Sequence, residues 1–160
     1  MHQKALGSSF LIAGILACAP GVQAQETSAT GHSVYFPGTH EAVELSDGRS
    51  AVDTTFDGYV ITDDENSTFN LVAQDCAGTD LMSADGALVI SSGYCAGRDR
   101  DGDMYWFSYW NTPESNKWTL TGGTGKFEGI QGGGTSRPLA VHEDGTFSLR
   151  WEGTWTTKSD

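Results

Sequence analysis

The stretch that most constrains this chain is Thr121–Gly134, TGGTGKFEGIQGGG, in which seven of fourteen residues are glycine. Its only large apolar side chains are Phe127 and Ile130. Glycine costs about 1 kcal/mol against alanine at each interior helix position, so the segment does not read as a helix. Two readings are left: a loop that cradles phosphate, or a turn and close-approach strand of a β-barrel. The phosphate templates fail. A Walker loop needs G-x-x-x-x-G-K-[ST], but Gly125-Lys126 is followed by Phe127, and Leu120 stands where the first glycine belongs. The dinucleotide fingerprint needs a third glycine where Glu128 stands, and a helix after a parallel strand that this chain does not offer.

The barrel reading has wider support. Short β-rich runs alternate with Gly, Asp, Asn and Ser turns at intervals of about ten residues, the pattern of an all-β sandwich or barrel. The runs are Ser33–Phe36, His40–Leu45, Ala51–Ile61, Thr68–Cys76, Ala87–Tyr94, Asp103–Trp110, Lys117–Thr121, Thr135–His142 and Thr146–Thr156. In Thr68–Cys76, alternation puts Phe69, Leu71 and Ala73 on one face, and Asn70 and Gln74 on the other. Asp103–Trp110 is apolar or aromatic on both faces, so it is covered on both sides or lines a pocket. In the last run Phe147, Leu149, Trp151, Gly153 and Trp155 share a face opposite Ser148, Arg150, Glu152 and Thr154. With no helices to cover a sheet, closure disposes of the exposed edges. The expected fold is therefore all-β: a single small antiparallel β-barrel of about eight strands, preceded by a signal peptide.

The N-terminus reads as that signal. Lys4 gives a positive start, Ala5–Ala17 an apolar core, and Val22-Gln23-Ala24 a small-residue cleavage site. A competing reading takes Ile15-Leu16-Ala17-Cys18 as a lipobox, with Cys18 lipidated and the protein anchored. Cleavage after Ala24 is the better match and implies a periplasmic or secreted protein. The expected organisation is a signal peptide over 1–24, a flexible leader over 25–31 and the barrel over 32–158, with no transmembrane segment in the mature chain. Losing Lys4 moves the formal net charge from −12 to −13. So acidic a surface repels phosphate backbones and excludes nucleic acid as a partner. Cys76 and Cys95 remain, and in an oxidising compartment they pair as a structural disulfide.

The glycine segment resembles the G-G-T-G-x-[FY]-x-G motif of the allene oxide cyclase and dirigent barrel superfamily. It stands here as Gly122-Gly123-Thr124-Gly125-Lys126-Phe127-Glu128-Gly129, followed by Gln131-Gly132 and later by Glu152-Gly153-Thr154-Trp155. The resemblance implies an eight-stranded antiparallel barrel with a central cavity for hydrophobic small molecules. Characterised members guide cyclisation or radical coupling of bound substrates. Their polar cavity residues lie outside the motif, so none transfers to this chain.

Catalytic templates are sparse. His32, His40 and His142 lack zinc-binding spacing, and Ser91-Ser92-Gly93 is not a nucleophile elbow. Arg150 and Glu152 point the same way from the last strand. They would project into the barrel if the Phe147/Leu149/Trp151 face packed outward; otherwise they form an exposed ion pair. Asp99, Asp101 and Asp103 alternate as calcium ligands can, but the loop misses the EF-hand glycine and glutamate positions, and Arg98 and Arg100 offset its charge. A solvated turn is the preferred reading, with no metal and no cofactor. Tyr105, Trp106, Phe107, Trp110, Trp118 and Trp151 are the candidate walls of a ligand cavity. The leading expectation is an exported, non-enzymatic barrel that binds a small hydrophobic or aromatic molecule. The alternatives are a cyclase or isomerase of the allene oxide cyclase and dirigent kind, and an acidic envelope factor that binds a protein through loops such as Asp63–Ser67.

Overall fold

The structure is a computed structural model and describes residues 26–157. The expected signal peptide and the alternative lipobox at Cys18 lie outside the described residues. Eight antiparallel strands close in sequence order into one barrel. They are β1 (Glu26–Glu44), β2 (Ser50–Thr62), β3 (Val72–Met82), β4 (Leu88–Arg98), β5 (Met104–Thr112), β6 (Ser115–Gly123), β7 (Gln131–Val141) and β8 (Phe147–Thr156). A short 3-10 turn, Gly125–Phe127, interrupts the path from β6 to β7. No helix among the described residues is long and apolar enough to cross a membrane.

Three elements differ from the expectation. Residues 26–31, read as a flexible leader, form the first part of β1 and pair with β8 from Glu26↔Thr156 to Gly31↔Trp151. The backbone groups of the last strand need a partner, and a leader of small residues fits beside Trp151 without crowding. Two predicted runs, Ser33–Phe36 and His40–Leu45, merge into this strand, with a register shift between Pro37 and His40. The face assignment over Thr68–Cys76 also reverses. Leu71 takes a left-handed φ of 58°, which resets the alternation, so that Val72, Gln74 and Cys76 are buried while Ala73 is exposed.

The glycines and aromatics of this sequence are two halves of one packing device. Along several strands an inward glycine sits directly across from an inward ring on the next strand: Tyr35↔Gly58, Gly97↔Tyr105, Gly93↔Tyr109, Trp118↔Gly134, Gly132↔Trp155 and Gly31↔Trp151. The ring itself lies over the glycine at Gly31, Gly58, Gly97 and Gly134, and at Gly93 the Tyr109 hydroxyl does. A Cβ at Gly58 would come within 2.3 Å of the Tyr35 ring, and one at Gly97 within 2.4 Å of the Tyr105 ring. Alternating small and large residues fill a narrow barrel without overpacking it.

The two ends of the barrel are built differently. One carries the short connections β1–β2, β3–β4, β5–β6 and β7–β8. The other carries segments 63–71, 99–103 and 124–130, the first and last of which are the longest connections between described strands. The glycine segment closes this second end. Phe127 and Ile130, its two apolar residues, are almost wholly buried together with Val72, and Phe127 packs on Phe69 and Tyr105. Gly125 makes the turn possible: its φ is +53°, and a Cβ there would overlap the Asp103 carboxylate.

Candidate functional site: the barrel cavity

The other end stays open, and a cavity of about 560 Å³ runs down from it into the barrel. Its floor is Phe69, Gln74, Tyr105 and Trp155, and its mouth includes Pro37, His40, Pro113, Val141 and Gly145. Rings dominate the wall. Tyr35 stacks on Phe147 with centroids 5.0 Å apart, and Phe56 meets both edge-on. On the far side Trp118 stands edge-on to Phe107 and to Trp151.

Polar groups are few and placed. At the floor, buried Gln74 links two phenols: Tyr35 donates to its Oε1 at 2.5 Å, and its Nε2 donates to the Tyr105 oxygen at 2.7 Å. Two ring hydroxyls thereby satisfy one buried amide, which would otherwise cost several kcal/mol to desolvate. Burial is also the main cause that pushes the Tyr35 phenol up to about 12 and Tyr105 above the ordinary tyrosine range. Tyr109 is likewise pushed up to about 12, first by burial and then by the Asp80 carboxylate, with Ser91 pulling the other way. The Tyr109 hydroxyl lies against Gly78 and Gly93, close to Ser91 but without an aligned hydrogen bond, and Trp151 Nε1 is also buried without a partner.

The Cys76–Cys95 disulfide joins β3 to β4 at directly opposed positions, with Cα atoms 4.1 Å apart, and both residues are buried on the inward side. Cys95 forms part of the cavity wall. The bridge therefore staples the lower wall of the site from inside.

Of the six aromatic residues read as wall candidates, Tyr105, Phe107, Trp118 and Trp151 line the cavity. Trp106 and Trp110 alternate outward on β5 and are partly exposed. Arg150 and Glu152 do not reach the cavity either, because the Phe147/Leu149/Trp151 face of β8 turns inward. On the outer wall, Arg150 grips Asp63 through both guanidinium nitrogens, at 2.7 Å for Nη1 to Oδ1, while Thr135 donates to Glu152 at 3.3 Å. The Arg150 hydrogen bonds, reinforced by Thr30, hold the Asp63 carboxyl down at about 2. The function of this pair is to tie segment 63–71 to the β1–β8 seam.

Asp99, Asp101 and Asp103 do not converge on a common point. Asp99 Oδ1 accepts the Asp101 and Asp103 backbone N–H groups at 2.9 Å, Asp103 Oδ2 accepts the Lys126 backbone N–H, and the Lys126 ammonium sits 2.6 Å from Asp99 and 2.9 Å from Asp101. Among the described residues no group of three His, Cys, Asp or Glu side chains is arranged to hold a metal ion. The loop instead anchors the glycine segment beneath the barrel.

Sequence reasoning missed several wall residues: Tyr35, Phe56, Gln74, Asp80, Asn111, Asn116 and Phe147. None carries a motif. The signal that finds them is cross-strand register, which places one inward residue of each strand level with the next.

No family model matches this chain, and no curated protein matches it. Solved structures do. The pterocarpan synthase dirigent protein GePTS1 superposes with a TM-score of 0.54 at 15% identity, covering 91% of this chain and 98% of its own. The pterocarpan synthase dirigent protein PsPTS1 superposes with a TM-score of 0.51 at 11% identity, covering 86% and 99%. With this topology and these matches, the chain has the dirigent-like eight-stranded barrel fold.

Proposed function

We propose that this is an exported barrel that binds a small hydrophobic or aromatic molecule in its central cavity, without transforming it. The observation that carries this reading is the cavity itself. A barrel this size can be filled by its own side chains, yet about 560 Å³ is left open, within the range of small-molecule sites. Rings line it, a few polar groups converge on it, and the plug of Phe69, Phe127 and Ile130 seals one end. The buried disulfide and the secretory-type N-terminus support export.

A second reading is cyclisation or isomerisation of the bound molecule, and the two similar barrels are named as pterocarpan synthases. Arg150 and Glu152 are on the outer wall, so such chemistry would fall to Asp80 and the Tyr35–Gln74–Tyr105 chain.

The test uses the neutral fluorophore N-phenyl-1-naphthylamine with the disulfide-intact protein. Expected are enhanced emission on binding, its loss in a cavity-filling Ser91→Trp variant that keeps its far-UV circular dichroism, and an intact small molecule in native mass spectra of the exported protein. Equal binding by the folded Ser91→Trp variant would place the site elsewhere. Recovery of a ring-closed or isomerised product on incubation would favour the second reading.

A further inference from the structure

The cavity has two unlike halves. Asp80 on β3, Ser91 on β4, Asn111 on β5, Asn116 on β6 and Ser136 on β7 are successive cross-strand partners, and all five line the cavity. They form one hydrogen-bonding arc across five neighbouring strands near the mouth. Tyr35, Phe56 and Phe147, packed ring on ring, make the opposing wall of β8, β1 and β2.

Within the arc, Asp80 is the one acidic residue that lines the cavity among the described residues. It takes part in none of the ion pairs among the described residues. Two basic residues reach the lining. His40 enters from β1, two strands away, and Lys117 lies on the exposed row of β6. Neither pairs with Asp80. A half-buried carboxylate among hydroxyl and amide side chains, facing a wall of rings, gains most from a cation that brings its own hydrogen bonds. Tyr109 and Trp118 next to the arc offer ring faces that attract a cation and not an anion. The formal net charge of −12 adds a field that repels anions from the mouth.

We propose that the molecule bound here is an amphiphilic amine. Its apolar body packs on Tyr35, Phe56 and Phe147, its protonated nitrogen meets the Asp80 carboxylate, and the Ser91–Ser136 side of the arc takes any further polar groups. This rests on the reading of the barrel as a ligand carrier and adds to it the charge of the ligand.

The experiment displaces N-phenyl-1-naphthylamine with three compounds of one body and different heads: 4-phenylbutylamine, 4-phenylbutan-1-ol and 4-phenylbutyrate. High salt, about 0.5 M, screens the general surface field and leaves the local contact. The amine is expected to compete at least about ten-fold more tightly than the alcohol, the size of one charge-assisted hydrogen bond, with the carboxylate weakest. In Asp80→Asn the amine should lose its advantage and fall to parity with the alcohol. Equal competition by amine and alcohol in the wild-type protein would overturn the proposal, as would an amine preference that survives Asp80→Asn. The wild-type ranking decides the matter even if that variant folds poorly. Failure of the neutral fluorophore to bind at all would instead remove the carrier reading on which the proposal stands.

Discussion

The indole of Trp118 lies so close over Gly153 that a Cβ there would come within 2.3 Å of its Cζ2 and 2.4 Å of its Cη2. A rigid ring backed by Phe107 and Trp151 has little room to yield. Gly153→Ala should therefore destabilise the barrel by about 1–3 kcal/mol, the usual cost of overpacking a core. Equilibrium urea unfolding measures it. Combined with Trp118→Leu, the cost of the alanine should largely vanish, because the two residues share one contact.

The disulfide is inside the barrel, and both cysteines are buried. Reductant should reach it only when the barrel opens, so thiol labelling under native conditions should track unfolding. Cys76→Ala with Cys95→Ala should lower stability by about 3 kcal/mol in the chain-entropy account. Labelling that runs at the rate of an exposed disulfide would contradict the inward placement.

The clasp of Arg150 on Asp63 makes stability fall in acid. The folded Asp63 carboxyl is held at about 2, below its ordinary 3.8, chiefly by the Arg150 hydrogen bonds. Its contribution is complete above the unfolded value and disappears as pH falls through the folded one. The difference in melting temperature between the wild type and Asp63→Asn should thus be widest above pH 4 and close by about pH 2. Both side chains are partly exposed, so added salt should shrink it throughout.

The alkaline side is set by buried phenols. Tyr35 and Tyr109 are pushed up to about 12, and Tyr105 is also raised, all first by burial. Raised folded values mean that stability is intact below the unfolded value of 10 and declines as pH rises beyond it. Absorbance titration should find three of the five tyrosines still protonated at about pH 11, ionising together with unfolding.

Leu71 is the one described non-glycine residue at positive φ, and it is exposed. Leu71→Gly should stabilise the protein by about 0.5–1 kcal/mol, as relief of the left-handed strain outweighs the entropy that glycine adds to the unfolded chain. A β-branched residue there should do the reverse. Urea unfolding of Leu71→Gly and Leu71→Val distinguishes the two directions.

Much of the architecture was readable in the residues. The period-two pattern of β8 named the strand, and the failure of Thr121–Gly134 as a phosphate loop left it as barrel structure. That segment could not announce that its two apolar residues would plug one end, since Phe127 and Ile130 gain a core only when Phe69 and Val72 arrive from a distant part of the chain. The wall was legible by halves for the same reason. Alternation says that Tyr105, Phe107 and Tyr109 share a face, but it is silent on which face turns inward. The packing of the glycines decided that, and with it the outward place of Trp106, Trp110, Arg150 and Glu152.

By itself, then, the sequence determined an all-β chain with two cysteines set to pair and a glycine-rich stretch of barrel backbone, because strand period, turn chemistry and thiol count are local properties. Only the tertiary structure decided that the barrel is plugged at one end and open at the other. It also decided that Asp80, Ser91, Asn111, Asn116 and Ser136 stand level around one cavity. Register couples residues that are far apart in the chain, and a shift of one position would turn every one of those side chains to the opposite side of the wall.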